Sequence, residues 1–91
     1  MWNNSLDCAD LSGRWQCVGC STNIVLIDQN GEECTGRAVI ENTDGINAIW
    51  TGRMTHDSII PQSGIVGSIK DNGKKIEWAN STIYYKLGNR L

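Results

Sequence analysis

Ninety-one residues, 40% of them hydrophobic, make one domain whose core is near the lower limit of self-sufficiency. A formal charge of −2 with mixed signs gives no electrostatic footprint for nucleic acid. No apolar run approaches the roughly 18 residues of a membrane span.

The whole of 1–91 reads as a single β-barrel-like domain, with an N-terminal arm at 1–10 and a tail at 88–91. Met1-Trp2-Asn3-Asn4-Ser5 lacks the charged-then-apolar pattern of a signal peptide. A first strand over 13–18 opens at Gly13 and carries Trp15. A second, 23–28, contains Ile-Val-Leu-Ile unbroken, which implies burial on both faces or a capped barrel end. A third spans 34–41. In the fourth, 46–54, Ile46, Ala48, Trp50, Gly52 and Met54 share one face, as period two requires.

The longest break, Thr55 to Ser63, holds the only His and the only Pro, with Ile59-Ile60 as a short extra strand. Strand 64–70 is glycine-containing, which permits tight curvature. In 75–79, Ile76 and Trp78 alternate around Glu77. In 82–87, Ile83, Tyr85 and Leu87 share one face, leaving Tyr84 and Lys86 on the other. Asn30-Gly31, Asp44-Gly45 and Asn72-Gly73 are type I′ hairpin signals. No window sustains a helical period. The expectation is an all-β antiparallel meander of about seven short strands, forming a small closed or strongly curled barrel.

Cys8, Cys17, Cys20 and Cys34 are an even set in a short chain, which favours a disulfide framework. The expected pairing is Cys8–Cys20 with Cys17–Cys34, because a bridge closing the four-residue Cys17–Cys20 loop is strained. The alternative is one zinc ion held by all four thiolates. Asn80-Ser81-Thr82 and Asn3-Asn4-Ser5 match the N-glycosylation acceptor triplet. With the cysteines, these triplets point to a secreted, extracellular protein. A cytoplasmic one is the alternative that the missing signal peptide leaves open.

Catalysis has little to stand on. His56 lies beside Asp57 and Ser58, but sequence neighbours point in different directions, and a triad is defined by geometry. His56 therefore reads as a solvated loop residue. Glu32-Glu33, Asp7, Asp10, Asp28 and Asp44 fall at turns and strand ends, where Asp caps backbone groups. No catalytic residue, cofactor or resident metal is assigned. The aromatic residues carry more: Trp50 and Trp78 lie mid-strand, and Tyr84 is taken as the outward member of the Tyr84-Tyr85 pair. These three are the candidate ligand contacts, with core filling the favoured reading of Trp50 and Trp78 and a stacking platform the alternative.

Leu11-Ser12-Gly13-Arg14-Trp15, then Asn23-Ile-Val-Leu and Gly31-Glu-Glu-Cys-Thr-Gly36, resembles the first hairpin of avidin-like and lipocalin-like barrels over about a quarter of the chain. In those families a Gly-x-Trp opens the first strand and its Trp closes the barrel floor; Gly13 and Trp15 match. Gly67 to Asn80 looks like the closing hairpin of small extracellular β modules. The resemblance implies a barrel meander with ligand binding at one open end, and transfers no particular ligand. The expected function is a non-catalytic extracellular module contacting a glycan or a small apolar ligand. A structural or interaction subunit of a larger extracellular assembly, with a protein partner or as an oligomer, is the alternative, and a small hydrolase using His56 the least favoured.

Overall fold

The computed structural model describes residues 8–20, 24–43 and 47–89. Alternating apolar positions become eight strands: β1 Gly13–Val18, β2 Ile24–Asn30, β3 Thr35–Ile40, β4 Trp50–Met54, β5 Ser58–Pro61, β6 Gly67–Lys70, β7 Lys75–Trp78 and β8 Ile83–Gly88. Each pairs antiparallel with the next, and β1 pairs with β8, so the sheet closes into an up-and-down barrel. The strand beyond the expected seven is β5. It lies in the loop where Ile59-Ile60 suggested it, Ile59 inward and Ile60 outward. β4 and β6 start later than expected, at Trp50 and Gly67. Gly88, assigned to the tail, is the last residue of β8.

The core is the barrel interior. Trp15 and Cys17 of β1, Val25 and Ile27 of β2, Ala38, Met54, Ile59, Ile76, Trp78 and Tyr84 are all buried in one cluster. Ile24 and Leu26, which alternate with the buried positions of β2, are only half-buried. The β6–β7 hairpin behaves as Asn72-Gly73 predicts, with φ of 57° and 85° at those residues. Asn30-Gly31 does not form a type I′ turn. Asn30 Oδ1 instead accepts the N–H groups of Glu32 and Glu33, and the positive φ falls on Cys34. Asp44-Gly45 and Ile46 lie outside the described residues.

One end of the barrel is stoppered by the chain that precedes β1. Leu11 is fully buried, and its carbonyl accepts the Trp15 indole N–H at 2.9 Å. Gln29 holds this segment on both sides, accepting from the Leu11 N–H and donating to the Ala9 carbonyl, each at 2.8 Å. Lys86 lays its stem inward, with its ammonium 5.7 Å from the Trp15 ring centroid and donating to the Asp10 carbonyl. Residues 8–10 are thus part of the closure, not a loose arm.

The cysteine pairing differs from expectation: the bridges are Cys8–Cys34 and Cys17–Cys20. The register explains it. Gln16 faces Ile24 and Thr35 faces Asn30, and those two β2 positions are six residues apart, about 20 Å of strand. Cys17 and Cys34 therefore sit at opposite ends of the wall, which excludes both the crossed pairing and a single site of four thiolates. The short loop closes because Gly19, at φ 96°, turns the chain and brings the Cα atoms of Cys17 and Cys20 to 5.7 Å.

Loop length sets what each bridge contributes. Cys8–Cys34 spans 26 residues and Cys17–Cys20 only three. On chain entropy alone, removing the first is expected to cost roughly 3.5 kcal/mol and the second about half that. Urea unfolding of the two Cys→Ser double variants measures this, and equal losses would contradict the entropic account.

Candidate functional site

The end opposite the stopper is fed by the connections β1–β2, β3–β4, β5–β6 and β7–β8. There the barrel leaves a cavity of about 250 Å³, with Trp50, Trp78 and Tyr84 in its wall and Ile49, Ile65 and Asn80 among its other lining residues. All three sequence-assigned contact residues meet at this mouth.

Their geometry is a cluster of tilted rings. Trp50 and Trp78 have centroids 5.4 Å apart at 57°, and Trp78 and Tyr84 5.3 Å apart at 65°. The second pair is edge-to-face, an arrangement that suits the ring quadrupoles. Trp78 is 8% exposed and Tyr84 4%, while Trp50 is half-buried. Trp50 thus forms the accessible part of the wall and the other two its deep side.

Tyr84 is a correction. It points inward, and Tyr85, 41% exposed, is the outward ring, with the Lys75 ammonium 5.7 Å from its centroid. The reversal follows from pairing: Cys17 faces Tyr84 and Trp15 faces Lys86, so these two β8 side chains share the face of the β1 core residues. The face of Ile83, Tyr85 and Leu87 is the outer one, and Leu87 is half-exposed.

Polar groups in the mouth are few. Trp50 Nε1 donates to Tyr84 Oη at 3.4 Å. Burial pushes the Tyr84 phenol above its ordinary value, opposed in part by that donor. Trp78 Nε1 is buried and, among the described residues, has no hydrogen-bond partner. An unpaired buried donor costs about 1–3 kcal/mol. Native structures keep such groups sparingly.

A second hollow, of about 680 Å³, lies on the outer wall over β2–β5, where Gly36 faces Gly52. Its lining residues include Asp28, Thr51, Arg53 and Gln62 beside Ile60 and Pro61, and contain no aromatic ring.

His56 is at the other end, on the β4–β5 turn and largely exposed, with Nε2 3.6 Å from Asp57 Oδ2. The Asp57 carboxylate accepts from the hydroxyls of Thr55 and Ser58, and Thr55 N–H donates to the Ser58 carbonyl. This is a network that locks a turn. The Thr55 and Ser58 hydrogen bonds, then the charge of His56, hold the Asp57 carboxyl below its usual range. A lowered folded-state value means the stabilisation is present above the ordinary carboxylate value and lost as pH falls through the lowered one. Carbon-detected NMR titration is expected to find Asp57 ionising below the model carboxylate, with Thr55→Ala moving it back up.

Asn80 is exposed on the β7–β8 turn, its Oδ1 accepting the Thr82 N–H at 3.1 Å. Asn3, the other candidate acceptor, lies outside the described residues. Gln29 was not singled out from the sequence. Its signal was its phase, since it continues the inward series of Val25 and Ile27 as a polar residue. No group of three or more metal-ligating side chains occurs among the described residues, and no helix there is long and apolar enough to cross a membrane. Compared with protein-family models, curated proteins and solved structures, the chain matches none.

Proposed function

We propose that this chain is a non-catalytic extracellular binding module that takes a small apolar ligand into the aromatic mouth of its barrel. The observation that carries the reading is the convergence of Trp50, Trp78 and Tyr84 on one open cavity. Binding sites for small molecules are concave, mostly apolar, and furnished with few polar groups. A cavity of about 250 Å³ admits a compact ring system. A small apolar ligand fits better than a glycan, because the rings meet at steep angles inside a pocket instead of offering one flat exposed face. Two disulfides suit an oxidising compartment, which supports secretion.

The neutral fluorophore N-phenyl-1-naphthylamine tests the reading. Saturable one-to-one binding with energy transfer from Trp is expected, and Trp50→Ala should weaken it by about tenfold, equivalent to roughly 1.4 kcal/mol. Circular dichroism checks that this variant stays folded; Ile65→Asp at the rim serves if it does not. Absence of saturation, or affinity unchanged in both variants, rejects the proposal.

A second reading rests on Ile49, Ile65 and Val66, all exposed by more than a third at or beside the mouth. Such a rim suits contact with another protein or a second copy of the chain. Concentration-dependent mass in solution, abolished by Ile65→Asp, would favour it over the ligand-binding role.

A further inference from the structure

Asn80 combines three properties that nothing in the binding role uses. It opens an Asn-Ser-Thr triplet, it is exposed on a connection between strands, and it lines the aromatic mouth. The turn that carries it is well fixed: Trp78 N–H donates to the Thr82 carbonyl at 2.9 Å and Ser81 N–H to the Trp78 carbonyl at 3.0 Å. Oδ1 of Asn80 is engaged by the Thr82 N–H, whereas no hydrogen bond to its Nδ2 occurs among the described residues. Among the described residues, the side of the amide that would bond to a sugar is therefore left open. Thr82, which also lines the mouth, supplies the hydroxyl that the acceptor triplet requires at its third position. Both disulfides suit an oxidising compartment, the kind in which this modification is made.

We infer that Asn80 is an N-glycosylation site whose glycan stands at the rim of the barrel mouth and restricts entry to it. In the transfer, Asn80 Nδ2 bonds to the anomeric carbon of an oligosaccharide carried on a polyprenyl pyrophosphate. The bond from that carbon to the phosphate oxygen breaks, the pyrophosphate leaves with the electron pair, and the amide nitrogen gives up one proton. Asn80 is on the rim, while the deep wall is made by Trp78 and Tyr84, both buried. The glycan thus stands at the entrance, outside the two deep rings.

The restriction of entry rests on the proposed binding role; the modification does not, and the experiment separates them. The full chain is secreted from a eukaryotic cell behind a cleavable leader, and its intact mass is measured before and after peptide-N-glycosidase. An oligosaccharide increment is expected that the glycosidase removes and that both Asn80→Gln and Thr82→Ala abolish, while Thr82→Ser and Asn3→Gln retain it. No increment, or one lost only in Asn3→Gln, overturns the assignment of Asn80. The glycosylated and deglycosylated forms are then titrated with N-phenyl-1-naphthylamine. Affinity several-fold weaker in the glycosylated form supports the rim position, and equal affinity overturns it. Failure of both forms to bind rejects the ligand-binding role and the restriction with it, leaving the mass result to stand alone.

Discussion

Gly13→Ala is expected to destabilise the barrel by about 4 kcal/mol, from roughly 1–3 for a Cβ at positive φ and 1–3 for forced overlap. Gly13 has φ 140°, and a Cβ there would collide with the Gly88 carbonyl and the backbone of Asn89. Neither is a flexible side-chain end that could swing away. The position lies at the seam where β1 meets β8, beside the register shift between Arg14 and Trp15. Relief would therefore require opening the closure itself. A domain of 91 residues has of order 5–13 kcal/mol of stability, so the loss is a large share of the whole. Gly31→Ala is the control: nothing lies within 4 Å of its added Cβ and its φ is not positive. It should stay within about 0.5 kcal/mol of the parent. Urea unfolding of the two variants decides, and equal midpoints would refute the seam argument.

Trp15→Ala should cost a similar amount, about 3–5 kcal/mol for removing a large buried ring. Trp15 is 0% exposed, lies 6.5 Å from the Tyr84 ring centroid, and donates to the Leu11 carbonyl. Its loss empties the barrel floor and strands the carbonyl of the stopper. Trp15→Phe keeps most of the packing and loses the N–H donor, so its penalty should be clearly smaller. Chemical denaturation again measures both. If Trp15→Ala lost less than about 1.5 kcal/mol, the site would have to collapse far better than large-to-small core changes usually allow.

The fold was legible because its main signals are local. Ile76-Glu77-Trp78 alternates two residues after a turn dipeptide, and the structure places both apolar residues inside. β5 was harder: four residues carry barely one alternation, and Pro61 closes the strand with its ring turned inward. Tyr84 was misread because apolar character was used to assign faces. On β8 the inward positions hold a phenol and a lysine, whose polar ends reach Trp50 and the Asp10 carbonyl. The disulfide pairing was not legible at all. It depends on which end of the wall each cysteine occupies, a property of register and not of spacing. For the candidate site, period two put Trp50 and Trp78 each on a core-facing side of its strand. That Tyr84 and Asn80 join them at one mouth follows from the order in which eight strands close, which no local pattern carries.

The pairing of Arg14 with Gly88 has a geometric corollary. Polypeptide enters β1 and leaves β8 on the stoppered side, a full strand length from Trp50 and Asn80. The described chain before β1 and after β8 therefore holds the barrel like a cup by its base, with the brim turned the other way.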